Sequence, residues 1–292
     1  MTAPLLVLGN VNVDLVLGPV DGWPEIGTEI EVDRAEMRAG GSAGNTALAL
    51  TGLGEPHLLI ASTGDDPNGV WLRGEFDANN CRWIDDPGMT TTTVGIVHRG
   101  GDRAFFTTPG HLQRATPEAL LARVDPAPFK GAVAILSGNL LMPKLRDATG
   151  DLLTKLRARG WQTAIDPGWP PQGWTDHFRQ TMVEWLQLCD HVLLNEEETS
   201  GFGGADALLG AIPATSTLII KRGAEGANAF RNGQNISVAA PQVEVVDTVG
   251  AGDTFNAAYL ARHIAGASLE NALRHGVEIA SCAVSTFPRR YK

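Results

Sequence analysis

The chain has 292 residues, with 23 Lys plus Arg against 33 Asp plus Glu, for a net charge of −10. That length suits one large domain or two modest ones with a substantial core, and the acidic balance argues against a chain-wide affinity for nucleic acid or an anionic membrane. A mean hydropathy of −0.05 is that of a globular protein, and no apolar run approaches the roughly 18 residues that cross a bilayer.

The opening MTAPLLVLGN has no basic n-region and reads straight into a buried strand over 4–8, so no signal peptide is expected. Residues 11–16 and 28–32 are extended and alternating, with Gly and Pro between them. After Gly40-Gly41, residues 43–53 place Ala43, Ala47 and Leu50 on one helical face, and Gly52 or Gly54 ends it. Residues 58–61 read as a strand. Residues 91–99 and 103–108 are β-rich and flank Gly100-Gly101-Asp102, a hairpin turn. Further strands fall at 132–136, 163–165, 192–194 and 218–221, with helices over 148–159 and 176–188 among them. A strand runs into Gly250, and helices over 254–265 and 268–285 close the chain. Strands alternating with crossover helices predict a mostly parallel α/β sheet covered on both faces. The β-rich segments within 11–32 and 91–108 either form a small second sheet or extend the edge of the main one, and the pattern does not choose. Cys81, Cys189 and Cys282 are odd in number, widely spaced and without a CxxC pair. The expected compartment is therefore the reducing cytoplasm.

Four segments carry candidate chemistry. In VVDTVGAGDTFN a strand meets Gly250-Ala251-Gly252, then Asp253, then a helix. Amides at a helix start lack intrahelical acceptors, so such a turn favours an anion. A carboxylate there is placed to take a proton from a nucleophile attacking a bound phosphoryl group. The alternative is that Asp253 is an ordinary N-cap. The segment supplies only the first two glycines of GxGxxG and lies far from the first strand, which makes a dinucleotide fold a weak reading; no GxxxxGK[ST] occurs. In RAGGSAGNT, Asn45 sits in a first helical turn, facing a polyhydroxy ligand or merely capping the helix. Upstream, Asn10, Asn12 and Asp14 share one face at the end of the first strand, where open α/β sheets bind ligands, though turn chemistry alone also explains them. In LNEEET, Asn195 and Glu198 are candidates to hold Mg²⁺ through water, the alternative being acids that complement a helix dipole. In KRGAEG, Lys221 and Gly223 either line nucleotide phosphates or form a solvated turn.

Taken together and in this order, AGGSAGNTALALTGLG, NEEE, IIKRGAEGA and DTVGAGDTFNAAYLA resemble the PfkB, or ribokinase-like, carbohydrate kinases over nearly the whole chain. The resemblance implies a single domain over 1–292 with a doubly wound, mostly parallel sheet and a small β-sheet lid drawn from about 11–32 and 91–108. It implies that Asp253 is the catalytic base and that Gly250, Ala251 and Gly252 form the anion hole. Asn195, Lys221, Gly223 and Thr248 would border ATP, Glu198 would organise Mg²⁺, and Asp14, Gly41 and Asn45 would hold the sugar hydroxyls. Members that bind K⁺ use the positions of Asp247 and Val249 together with a glycine-containing loop after the last helix. Here that stretch, VSTFPRRYK, has no glycine, so weak or absent activation by a monovalent cation is expected. The implied activity is ATP-dependent phosphorylation of a hydroxyl, primary in the leading reading, on a small sugar or sugar derivative. A nucleoside kinase of the same fold, a catalytically silent sugar-binding protein and an NAD-dependent oxidoreductase are the alternatives. Substrate choice is expected to rest near Ser137, Asn139, Asp166 or the 107–111 loop, with His111 solvated. Neither nucleic acid nor membrane is an expected partner, and the lid's open strand edges admit a second subunit.

Overall fold

The computed structural model describes residues 3–99, 103–287 and 289–291. Its strands are β1 (Leu5–Gly9), β2 (Asn12–Val20), β3 (Arg34–Gly40), β4 (His57–Gly64), β5 (Cys81–Asp86), β6 (Thr92–His98), β7 (Arg103–Thr107), β8 (Val133–Ser137), β9 (Gln162–Asp166), β10 (His191–Asn195), β11 (Thr217–Lys221), β12 (Ala227–Arg231) and β13 (Gln234–Val238). Its helices are α1 (Ser42–Leu53), α2 (Pro67–Gly74), α3 (Pro117–Leu121), α4 (Pro143–Asp147), α5 (Thr149–Ala158), α6 (Asp176–Leu186), α7 (Glu196–Phe202), α8 (Ala205–Ala211), α9 (Ala251–Ile264) and α10 (Leu269–Val284).

The main sheet runs β13-β12-β11-β10-β9-β8-β1-β4-β5 and is parallel from β11 to β5. Strands β1 and β8 are buried at every position, as a parallel sheet covered by helices on both faces requires. Leu5, Val7, Val133 and Ile135 pack on one face with α1, α9 and α10, while Leu6, Leu8, Ala134 and Leu136 pack on the other with α3 and α5. The chain leaves β1 for β4 on one side and returns later to β8 on the other. This reversal places the ligand crevice of a doubly wound sheet beside the carboxyl ends of β1 and β8.

A separate sheet has the order β3-β2-β6-β7, so the second-sheet alternative holds over an extended edge. One of its strands differs from expectation. Residues 28–32 pair with nothing and are exposed except for half-buried Val32, with Ile30 48% accessible; the strand is β3, which lies antiparallel on β2 with Asp14 opposite Arg38. Its sequence RAEMRAG has poor strand propensity, and pairing with β2 overrides that. β6 and β7 pair antiparallel as expected, and the turn at 100–102 lies outside the described residues.

The chain enters β6 through a fixed joint. Asp66 accepts bonds from Thr90 N (3.0 Å) and Thr90 Oγ1 (2.5 Å), and His111 Nδ1 accepts from Thr91 N at 3.0 Å. His111 is fully buried, contrary to the expected solvated loop, and burial lowers its pKa to about 4.

A second difference precedes α9. No strand runs into Gly250. Val245 and Val246 are half exposed, and the amides of Val246 and Asp247 bond the Val284 carbonyl at the end of α10, at 2.8 and 3.1 Å. The apolar pair reads as a strand, but no neighbouring strand is there to receive it. Among the described residues no helix is long and apolar enough to cross a membrane.

Candidate active site

Three parallel strands end in polar side chains at the same edge of the sheet: Asp166 on β9, Asn195 on β10 and Lys221 on β11. The N-terminus of α9 stands over them. Gly250, with φ 73°, is the N-cap, and no side chain caps this helix. The first intrahelical bond runs from Thr254 N to Gly250 O at 3.0 Å, so the amides of Gly252 and Asp253 have no acceptor within the helix. Asp253 therefore lies three positions inside the helix and is not its cap. Its Oδ2 instead accepts Asn45 Nδ2 at 3.0 Å, joining the first turns of α9 and α1.

Asp253 is surrounded by charge. Burial, reinforced by the negative charge of Asp166, raises its pKa to about 7, while Lys221, Asn45 and Arg289 pull the other way. Lys221 Nζ donates to Asp166 Oδ2 at 2.6 Å, and Asn256 Nδ2 reaches the same oxygen at 2.5 Å. Burial works against the Lys221 charge, yet Asp166 and Glu198 outweigh it and hold this ammonium above the ordinary lysine value. A Cβ on Gly252 would stand 3.3 Å from Lys221 Nζ. The cation thus lies directly against the turn that presents the free amides, a pairing that favours a phosphoryl group.

On one side of this centre, Lys221, Gly223, Thr248, Ala251 and Gly252 border a cavity of about 600 Å³ that continues between Val243, Phe255 and Val277. A largely apolar cavity of that size with few polar groups at one end suits a nucleotide base and ribose. Asn195 is not part of its lining. Asn195 Oδ1 accepts Glu198 N at 2.7 Å, and Glu198 Oε2 accepts Asn195 N at 2.9 Å, the reciprocal capping of α7. Burial, with Asp166 nearby, lifts the Glu198 carboxyl to about 7.

On the other side lie the residues predicted to hold hydroxyls. Asn12 Nδ2 donates to Asp14 Oδ1 at 2.6 Å and to Thr93 Oγ1 at 3.1 Å, and Asn10 Oδ1 accepts Ser42 N at 2.9 Å. Gly41 is the N-cap of α1, pressed against the Asn12 side chain. Burial raises the Asp14 carboxyl to about 6, with the Asn12 bond and Arg38 opposing. The structure therefore unites Asp253, the glycine turn, Lys221 and Asn45, sets Asp14 and Gly41 alongside, and leaves Asn195 in a capping role. Sequence reading assigned no role to Asn256, Arg38 or Arg289, and named Asp166 only as a substrate contact.

The donor set can be tested against each metal. Mg²⁺ bound to phosphates keeps its waters and needs one or two carboxylates. Glu198 offers one oxygen outside the cap, and among the described residues no group of three or more metal-ligating side chains forms a cage. That fits an ion held mainly by phosphates and water. A monovalent cation at Asp247 and Val249 does not fit. Asp247 Oδ2 is held by Arg38 Nη1 at 2.6 Å and Oδ1 by Val249 N at 3.0 Å, and the Val249 carbonyl accepts Arg289 Nη2.

A carboxylate near neutrality, unpaired helix amides and a buried lysine beside a nucleotide-sized cavity are the parts of a phosphotransferase acting on an alcohol. Residues 3–288 match the pfkB family carbohydrate kinases, and the chain belongs to that family. A fructokinase from Klebsiella pneumoniae is 28% identical, covering 89% of this chain and 84% of its own. The ribokinase of Bacillus subtilis is 25% identical over 97% and 93%. The adenosine kinase of Sinorhizobium meliloti, 23% identical, superposes with a TM-score of 0.79 over 99% of this chain and 96% of its own, which shows the shared fold.

Proposed function

We propose that the chain transfers the γ-phosphoryl group of ATP to a hydroxyl, most simply a primary one, of a small sugar or sugar derivative. The observation that carries this reading is the position of Asp253. It lies on the boundary between the hydroxyl-binding residues and the cation-backed amide turn, and its pKa of about 7 suits proton transfer at neutral pH. Asn45 and Asp14 orient the acceptor, and Asp253 takes its proton. The free amides of Gly252 and Asp253, with Lys221 behind them, stabilise charge on the equatorial oxygens, whereas the Ala251 amide is committed to the Thr248 carbonyl at 3.2 Å. Lys221, Gly223 and Thr248 border the nucleotide. Mg²⁺, held by Glu198 through water with Asn195 fixing that carboxylate, would neutralise charge between the phosphates. The small sheet acts as a lid over the sugar and excludes water.

A nucleoside acceptor is the second reading. On β7, Phe105 shares a face with Thr107, which meets Thr93 at 3.0 Å, and the Phe105 ring is 55% accessible above Gly95. A base can stack there. An ADP-release screen against pentoses, hexoses, their monophosphates and nucleosides decides between the two, and no ADP release above background with any of them refutes both.

A further inference from the structure

The segment after α10 reaches back into the site. Arg290 N bonds Thr286 Oγ1 at 2.9 Å, turning the chain. Tyr291 then packs against the main core, its ring on α1 at Gly52, where any Cβ would overlap it. Between these anchors, Arg289 donates from Nη2 to the Val249 carbonyl, and its Nη1 stands 2.9 Å from where a Gly250 Cβ would be. On the opposite flank of the same turn, Arg38 holds Asp247 at 2.6 Å, joined at 3.5 Å by Arg34. Residues 247–250 are gripped by guanidinium groups from two separate elements.

We infer that Arg289 is a positioning residue of the phosphoryl-transfer site, a built-in cation that aims the glycine turn and makes a monovalent metal ion unnecessary. The inference rests on the reading of Asp253 and its turn given above. In a trans peptide the C=O and N–H point in opposite directions. Holding the Val249 carbonyl therefore fixes where the Gly250 N–H points, and with it the start of α9. The same guanidinium adds positive charge beside Asp253, which is otherwise faced by Asp166 from β9, Lys221 from β11 and Asn45 from α1. Gly52 has a part in this, because its missing side chain makes room for the ring that tethers the arginine.

The test compares wild type with Arg289→Met, Arg289→Lys and Tyr291→Ala, using the best acceptor from the screen. Arg289→Met should lower kcat by roughly tenfold or more with a smaller change in the acceptor's KM, and move the acidic limb of the kcat profile to higher pH. Methylguanidine or K⁺ should restore part of that loss. Arg289→Lys should keep the pH limb near its wild-type position. Without turnover, the melting temperature of wild type should be the same in K⁺ and choline buffers, whereas Arg289→Met should gain a K⁺-dependent rise. Tyr291→Ala should follow Arg289→Met in weaker form. The inference is overturned if Arg289→Met keeps kcat within twofold, or if kcat falls while the pH limb stays put and neither cation restores it. Should Arg289→Met not fold, Arg289→Lys with a displaced limb overturns it equally. Asp253→Asn run in parallel separates the two levels: if it retains kcat, the site reading fails, and if it alone loses kcat, only this inference does.

Discussion

Replacing Asp253 by Asn should make the protein more stable and nearly inactive at once. The carboxyl rises from the ordinary aspartate value of 3.8 to about 7 on folding, about three tenfold steps at 1.36 kcal/mol each, or on the order of 4 kcal/mol. The sign follows from linkage. A carboxyl whose pKa is raised by folding ionises more easily in the unfolded chain, so it disfavours the folded state increasingly as pH climbs from about 4 to 7, and fully above that. Asn removes this burden and can still meet the Asn45 amide with its carbonyl. The stability of Asp253→Asn relative to wild type should therefore grow between pH 4 and pH 8 by up to about 4 kcal/mol, read from urea denaturation midpoints at several pH values. Turnover should fall by roughly 10²–10⁴, the span of a positioned general base. Helix α9 should survive, because its cap is Gly250 and not Asp253. A kcat within a few-fold of wild type would refute the base assignment. A stability difference that does not change with pH would refute the electrostatic account of the site.

Asn45→Ala should raise the acceptor KM by roughly tenfold, as loss of a hydrogen bond to a charged or polar group does, with a smaller effect on kcat; steady-state kinetics in which kcat alone falls would contradict this. Lys221→Met strands the Asp166 carboxylate and should destabilise the fold by about 3–5 kcal/mol, with Asp166→Asn in the same chain recovering much of it; a denaturation midpoint unchanged by Lys221→Met refutes the buried pair. The small sheet exposes Met37, Phe105 and Phe106, with Trp23 exposed beside them in the β2–β3 connection, and a homodimer through this surface should appear by light scattering at high micromolar concentration. Monomer alone removes that expectation, and unchanged hydrogen exchange in β2 and β6 on adding acceptor removes the lid.

The parts of the site that sequence reading anticipated are local ones. The glycines before Asp253 predict a turn at a helix start, and Gly250 takes the left-handed conformation there. The Asn-x-x-Glu spacing at Asn195 also carries a local signal, that of a capping box, which the Mg²⁺ and helix-dipole readings pass over; the box forms. What escaped reading depends on partners distant in the chain. Lys221 finds Asp166 55 residues away, Asn256 finds the same carboxylate across 90, and Arg289 meets Val249 across 40. No periodicity encodes such pairs. The two strand errors share a cause: RAEMRAG joins a sheet because β2 lies beside it, and VEVV stays irregular because nothing does. The Asn232-Gly233 turn between β12 and β13 had a readable signal, an Asn-Gly pair with both residues at positive φ, and was missed.

The joint at the base of β6 makes opposite protonation demands on two side chains. Asp66 must carry its charge: burial works against it, but the bonds from Thr90 and Gly69 outweigh that and hold its pKa below the usual aspartate value. His111, fully enclosed, must stay neutral, its pKa down from 6.5 to about 4. A buried histidine of this kind lends its full stability above pH 6.5 and forfeits it as pH falls toward 4, about 3 kcal/mol over that interval. In the folded protein both demands are met above about pH 5, but the neutral His111 costs no stability only above about pH 6.5. Mild acid therefore loosens the attachment of the small sheet, and it does so alongside the main sheet, where the fully buried His191 on β10 is held well below the ordinary histidine value by the same burial.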